Sequence, residues 1–174
     1  MGYAKSKWTF DPLEARNAYL NFTKLRTYSK TYCPNYYGEL NDPFNKLLPS
    51  DRILVEWNIN DGDYLRWDSK IEELKEEAVE IVPWNLSLVG LPMLDKDYAF
   101  NPTISFIKDA YSLPIPASFQ KIKLESPSLA EDWRYKTRTI FQALFSQGYA
   151  VVHLAQKNEY VAHYLFVKSS LFAL

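Results

Sequence analysis

The chain has two histidines, and both lie in the stretch YAVVHLAQKNEYVAHYLFVK (149–168). Imidazole is a common zinc ligand, so the first chemistry to consider is a metal site. The stretch predicts a β-hairpin that turns at Lys157-Asn158, and a two-residue turn places the rings of His153 and His163 on opposite faces. A three-residue turn with a bulge would bring the rings together. No cysteine or acidic cluster near them completes a ligand set, so we expect no metal.

Nucleophilic and phosphate-binding motifs find little support in the sequence. Cys33 has no histidine near it in the sequence, so nothing indicates an activated thiolate. The chain contains no G-x-x-x-x-G-K-[ST], G-x-S-x-G or G-x-G-x-x-G motif. As the single cysteine, Cys33 excludes an intramolecular disulfide and suits a reducing compartment, so we expect a cytoplasmic protein.

The charge and composition narrow the classes of partner. The net charge is −1 over 174 residues, 47% of them hydrophobic, which predicts a globular chain without a basic field for nucleic acid. Arg26 and Lys30 lie near tyrosines, a pattern seen in single-strand binding, but the neutral charge favours a packed aromatic loop. No long apolar run predicts a membrane span. We therefore expect a protein that binds neither nucleic acid nor membrane.

The polar candidates closest to chemistry lie on a helix near the start of the chain. The stretch KWTFDPLEARNAYLNFTKLRTY predicts a strand over Tyr3 to Phe10 and then a helix with Asp11 as N-cap and Pro12 as its first residue. Helical spacing predicts an apolar stripe of Ala15, Ala18, Phe22 and Leu25 beside a polar stripe of Asn17, Asn21 and Lys24.

Further elements must support that helix. A half-buried strand is predicted within residues 50–61, with Ile53, Val55, Trp57 and Ile59 inward and Arg52 and Glu56 outward. A surface helix is predicted over 67–83, capped near Asp68 and ended by Pro83, and short extended pieces over 84–118. A helix over 128–147 carries a capping box of Ser128 and Glu131, buries Trp133, Thr137, Ile140 and Leu144, and precedes the hairpin. No internal repeat is visible.

Three consecutive motifs resemble a predicted branch of the GNAT acyltransferase superfamily: WTFDPLEARNAYLNFTKL, CPNYYG and LPSDRILVEW. Their order and spacing agree with that branch over Lys7 to Trp57. A weaker similarity covers IPASFQKIK and SLAEDWRYKTRTIFQALFSQGYAVVHL, whereas residues 58–113 resemble the family poorly.

The resemblance implies an α/β fold: a partial GNAT-like mixed sheet with flanking helices, plus a C-terminal helix and β-hairpin unit. Residues 1–62 would be the C-terminal part of the acyltransferase core, and 63–174 a family-specific region. The implied activity moves an acyl group from acetyl-CoA or another acyl-CoA to an amine acceptor, with no metal.

The resemblance also implies site residues on the first helix. A tyrosine there often protonates the departing thiolate in the family, but the matching position holds Phe22, and Arg26 replaces a glycine. Tyr19, one turn away, is the substitute candidate for the catalytic proton donor. Asn17 and Asn21 are candidates for hydrogen bonds to pantetheine.

The family's earlier strands and its glycine-rich phosphate-binding turn have no counterpart in this sequence. We therefore expect weak acyl-CoA binding by the chain alone. The protein is then an acyltransferase or the C-terminal part of one, or else an inactive remnant that acts as a subunit or binding module. Trp8 and Phe10 would lie uncovered on an open sheet edge, so the expected partner is a second copy or a separate N-terminal GNAT half, bound through Lys5 to Phe10.

Overall fold

The predicted α/β class is confirmed by the structure, a computed structural model that describes residues 5–38, 48–58, 64–96 and 100–174, with only the backbone of 64–66. Its strands are β1 Lys5–Phe10, β2 Tyr28–Cys33, β3 Arg52–Asn58, β4 Val79–Glu80, β5 Trp84–Leu86, β6 Pro92–Leu94, β7 Ala110–Pro116, β8 Tyr149–Gln156 and β9 Val161–Lys168. Its helices are α1 Ala15–Ala18, which continues as a π-helical segment over Tyr19–Lys24, α2 Tyr64–Glu77, α3 Phe119–Glu125 and α4 Pro127–Ser146, with a 3-10 turn at Ser169–Phe172.

Within the described residues, seven strands form one mixed sheet in the order β1-β3-β2-β8-β9-β7-β4, and β5 and β6 form a separate small sheet. All pairs in the large sheet are antiparallel except β4 with β7. The boundary expected between residues 62 and 63 lies outside the described residues. The sheet combines strands from both sides of that boundary.

The sheet is built from two units of the same connectivity. In β1-α1-β2-β3, a strand, a helix and two strands follow each other, and the last strand lies between the first two. The unit β7-α3-α4-β8-β9 repeats this order, and the units meet where β2 and β8 pair antiparallel at Ser29 and Val151. An approximate twofold axis normal to the sheet therefore relates them. We call the β2–β8 boundary the seam.

Both main helices cover one face of the sheet and cross the seam. The π-helical segment after α1 packs on β8, and α4 packs on β2 as well as on β8. Phe22 and Trp133, both fully buried, share this core with Tyr164 of β9. The predicted apolar stripe of α4 is confirmed, since Thr137, Ile140 and Leu144 are buried too. In the first helix Ala15 and Ala18 are buried as predicted, whereas Leu25 is half-buried and follows the helical segment.

The first helix starts later than predicted. α1 begins at Ala15, and Asp11 instead closes a turn: its Oδ1 accepts the Leu13 backbone N–H at 2.9 Å, and its carbonyl accepts the Glu14 N–H at 3.0 Å. An aspartate side chain that bonds two residues ahead favours such a turn over a cap. α4 starts earlier than predicted. Its first residue is Pro127 and its N-cap is Ser126, so the predicted capping box of Ser128 and Glu131 is wrong.

The second helix covers the opposite face of the sheet and is shifted from its prediction. α2 ends at Glu77, and β4 follows, so Pro83 does not end the helix. Ile71 and Leu74 are buried against the side of the sheet that carries Val152 and Leu165. The run to Pro83 looked helical in sequence because Ala78 and Ile81 continue its apolar spacing.

The predicted hairpin over 149–168 is present, but its register differs. Pairing closes at Gln156 and Ala162 rather than beside a two-residue turn, and a bulge lies between Val151 and His153. Because His153 then pairs with Leu165, two residues from His163, the two histidines lie on the same face of the sheet. The prediction of opposite faces is therefore wrong.

The first strand is an edge of the described sheet, as expected, but its apolar face is covered. Phe10 is 7% exposed, and its ring lies 5.9 Å from that of Phe22. The Trp8 indole donates to Asn21 at 2.9 Å. The α1 helix thus supplies the cover for this face of β1.

Glu56 also departs from its expected exposure. It lies on the predicted outward face of β3, yet only 8% of the residue is exposed. Lys5 and Lys7 of β1 approach its carboxylate to 2.8 and 3.2 Å. Burial disfavours the charged carboxylate, but the hydrogen bonds from Lys5 and Lys7 outweigh it and lower the pKa of Glu56.

Candidate functional site: a polar cleft at the end of β1

A polar cleft of about 450 Å³ opens where β1 ends and α1 begins. Its walls come from both units of the sheet, with β1, α1 and β3 on one side and α3 and α4 on the other. We call it the β1 cleft; its lining residues are Thr9, Phe10, Asp11, Glu14, Asn17, Tyr37, Leu48, Pro49, Ser50, Arg52, Gln120, Lys123 and Arg134.

An ion pair between the two units lines the β1 cleft, with Arg134 buried and Asp11 half-buried. Arg134 of α4 donates from Nη1 and Nη2 to the two carboxylate oxygens of Asp11, at 2.8 and 2.6 Å. The Arg134 residue is 2% exposed. Burial opposes its charge, but the Asp11 carboxylate outweighs burial and raises the pKa of Arg134. Arg134 therefore stays charged, and its two bonds to Asp11 fix α4 against the end of β1.

A second arginine of α4, Arg138, lies one helical turn after Arg134 and pairs with a carboxylate that is fully buried. Asp51, fully buried at the start of β3, accepts bonds from Nε and Nη2 of Arg138 at 2.8 and 2.7 Å. It also accepts the Tyr32 hydroxyl at 2.6 Å and the Asn35 backbone N–H at 2.9 Å. Burial, and then the Asp51 charge, raise the pKa of Tyr32 far above its usual range, so the hydroxyl remains a donor.

Two further cations line the β1 cleft, and neither has a strong carboxylate partner among the residues that the structure describes. Arg52 donates to the Asp51 carbonyl at 3.0 Å and lies over the Tyr37 ring, but it reaches Asp11 only at 3.7 Å. Lys123 of α3 is half-buried, with Nζ 5.7 Å from the Phe119 ring centroid. Asp11 is already bonded on both oxygens by Arg134. Arg52 and Lys123 can therefore serve an anionic ligand.

One acidic side chain faces the cleft from α1. Glu14 lies at the N-cap of α1 and accepts a short hydrogen bond from Gln120 through Oε1. Gln120 comes from α3, so this bond also joins the two units. The remaining carboxylate oxygen is suited to a ligand N–H or O–H group. The β1 cleft is thus bipolar, with cations along one part and Glu14 on another.

The structure does not bring all three predicted site residues into this cleft. Asn17 is exposed and lines it. Asn21 is buried, and its amide is engaged by the Trp8 indole and by the Asn17 carbonyl, the latter at 2.8 Å. Tyr19 is 38% exposed on the π-helical segment, outside the lining of the cleft, with the Lys24 ammonium 5.3 Å from its ring centroid. Only Asn17 is positioned to reach a ligand there.

The histidines and Cys33 do not form part of the β1 cleft. Burial, and then Lys75, lower the pKa of His153 to about 4. Burial also lowers the pKa of His163, although Glu80 approaches its Nε2 to 2.8 Å and opposes that effect. Burial raises the pKa of the Cys33 thiol, contrary to an activated nucleophile. Across the described residues, no group of three or more His, Cys, Asp or Glu could hold a metal ion.

A larger cavity, of about 670 Å³, lies between α2 and the C-terminal residues. Its charged lining residues Lys70 and Glu73 pair with each other at 3.3 Å. The Trp67 ring packs edge-on against Phe172, with centroids 5.2 Å apart. Because these charges already pair with each other, the β1 cleft is the better candidate for ligand recognition.

No family model, curated protein or solved structure matches this chain. No helix in the described part of the chain is long and apolar enough to cross a membrane.

Sequence reasoning missed most of the residues that build the cleft. Arg134 follows Trp133 directly, beside the buried face of a helix. A cation at such a position requires a buried carboxylate. That requirement could have marked Arg134 and Arg138, four residues apart, as an inward pair. It could not have identified Asp11 and Asp51 as their partners.

Proposed function

We propose that this protein is a GNAT-like acyltransferase module that takes acetyl-CoA or another acyl-CoA as donor and an amine as acceptor. The observation that carries the proposal is the β1-turn-α1 unit, which has the strand and helix that the sequence resemblance implies. A polar cleft opens at the end of that strand, and Asn17 of the helix lines it.

In this proposal α1 supplies the chemistry. Tyr19 is the candidate proton donor to the departing thiolate because it is an exposed tyrosine of the helix, whereas Phe22 is fully buried and has no proton to give. Asn17 is the candidate partner for a pantetheine amide. Asn21 supports both indirectly, because it joins the helix to Trp8 of β1.

The test is acyl transfer by the purified chain. The chain is incubated with acetyl-CoA and a panel of amines, and the acylated product is detected by mass spectrometry. This readout does not depend on thiol reagents, which would also react with the Cys33 thiol. Tyr19→Phe should lower kcat by about 10²-fold and leave KM unchanged, since general acid catalysis contributes roughly that much. Tyr36→Phe, at another exposed tyrosine, is the matched control. No acylated product with any amine would refute the enzymatic proposal.

A second candidate is a binding module of the same ancestry without transfer chemistry. The observation that favours it is that the two aspartates nearest the cleft are already paired with arginines. Asp11 and Asp51 are both bonded to arginines of α4, so their role is structural. Saturable binding of acyl-CoA in calorimetry, without product, would support this candidate over the enzyme.

A further inference from the structure

We propose that the β1 cleft binds a small molecule with two groups: an oxyanion, held by Arg52 and Lys123, and a hydrogen-bond donor such as an amino group, held by Glu14. As a description of the amine acceptor, this inference rests on the proposed function. As a description of a binding site, it stands on the geometry of the cleft alone.

Arg52 and Lys123 are available to an oxyanion because Asp11 is bonded to Arg134 instead. Its two carboxylate oxygens accept the two terminal nitrogens of Arg134, which leaves Arg52 at 3.7 Å with only a weak ion pair. Lys123 pairs with no acidic side chain within the described residues, and its ammonium carries three donors. Two half-buried cations on one cleft hold an oxyanion more strongly than exposed ones, because solvent screens them less.

Arg134 adds a buried hydrogen-bond donor beside the two cations. Its Nε–H group is buried and has no hydrogen-bond partner within the described residues. The residue is 2% exposed and lines the same cleft. A buried donor without an acceptor is costly, so the folded protein gains free energy when a ligand oxygen or a water accepts this bond.

The acidic part of the site sets the character of the second group. Glu14 uses one carboxylate oxygen for Gln120, and a second negative group beside it would be repelled. An amino or hydroxyl group is attracted. The volume of about 450 Å³ exceeds that of a bare phosphate ion and matches a small organic ligand.

The experiment titrates the full chain by calorimetry with three probes: inorganic phosphate, O-phosphoethanolamine and β-alanine. The last two carry an amine with a phosphate or a carboxylate, and so distinguish the two sources of oxyanion. We expect at least one of them to bind more tightly than inorganic phosphate. Lys123→Gln should weaken every probe that binds by about tenfold, the value of one charge-assisted hydrogen bond.

Two further variants test whether the probes bind at Lys123 and Glu14. Lys121→Gln removes the same charge from the same helix, where Lys121 is exposed and lies 4.0 Å from Glu125, and should leave binding unchanged. Glu14→Gln should weaken only the amine-bearing probes. Thermal unfolding of each variant shows whether it is folded.

Three outcomes overturn the inference: no saturable binding of any probe at millimolar concentration, equal losses for Lys121→Gln and Lys123→Gln, or no effect of Glu14→Gln on the amine-bearing probes. Binding without acyl transfer refutes the proposed enzyme and leaves this site intact. Acyl transfer by a protein that binds none of the probes refutes this site and leaves the enzyme intact.

Discussion

Arg138 and Asp51 form a two-pronged ion pair, at 2.8 and 2.7 Å, in which the aspartate is fully buried. Removal of the arginine would leave a buried carboxylate with only Tyr32 and a backbone N–H to satisfy it. We predict that Arg138→Met lowers the free energy of unfolding by about 3 kcal/mol, measured by urea denaturation at neutral pH.

The same helix offers a control for that variant. Lys136 and Asp132 form an ion pair at 2.9 Å, but both side chains are partly exposed. Lys136→Met should cost less than about 1 kcal/mol, since surface pairs contribute little. Equal losses at positions 136 and 138 would contradict a special role for the buried pair.

Ile140 tests the packing of α4 on the sheet. The residue is 1% exposed and belongs to the core shared with Phe22 and Tyr164. Ile140→Ala should lower the free energy of unfolding by roughly 2–5 kcal/mol through lost burial and a new cavity. Gln142→Ala, at an exposed position of the same helix, should change it by less than about 0.5 kcal/mol. A loss below about 1 kcal/mol for Ile140→Ala would mean that this face relaxes to fill the cavity.

The histidines predict acid sensitivity. The pKa of His153 falls to about 4 on folding, and that of His163 is also lowered, chiefly by burial in both cases. The unfolded chain then binds more protons than the folded one below about pH 6.5, so stability is full above that pH and falls towards pH 4. For His153 the loss between pH 7 and pH 5 is roughly 2 kcal/mol. Denaturation at pH 7 and pH 5 measures it.

A variant at position 153 separates the contribution of His153 to this pH dependence from that of His163. His153→Gln removes the titrating ring and should reduce the difference in stability between pH 7 and pH 5. The residual dependence belongs to His163 with its partner Glu80. An unchanged pH profile in His153→Gln would show that His153 stays accessible to protons in the folded state.

The position of β1 at the edge of the sheet formed by the described residues predicts self-association. The strand pairs with β3 on one side, and its lysines already neutralise Glu56, so their charge opposes a second strand less strongly. We expect light scattering at micromolar concentration to give twice the chain mass of 20.3 kDa. Trp8→Lys should restore the monomer mass, and Tyr19→Lys, at an exposed site outside the edge, should not. A monomer at all concentrations would refute the proposed interface.

Apolar spacing predicted the buried faces of the helices because it is a local property. Trp133, Ile140 and Leu144 of α4 all lie where their spacing placed them. Helix ends were less predictable, since Asp11 satisfies a turn and a cap with the same side-chain chemistry.

The cleft and the repeat depend on contacts between distant residues. Arg134 and Asp11 are 123 positions apart, and Arg138 and Asp51 are 87 apart. The two units share connectivity without visible sequence similarity, so periodicity in the letters could not reveal them. The face of each histidine depended on the register of the hairpin, which composition does not determine.

The arrangement of the two units also orders the folding reaction. β1, β2 and β3 pair among themselves within residues 5–58, and β7, β8 and β9 do so within 110–168. Among the strand pairs of the described residues, only the seam joins the two units, at Ser29 and Val151. Closure of short loops costs less entropy than closure of long ones. We therefore expect the strands of each unit to pair first and the seam to form last, as the slow step of refolding.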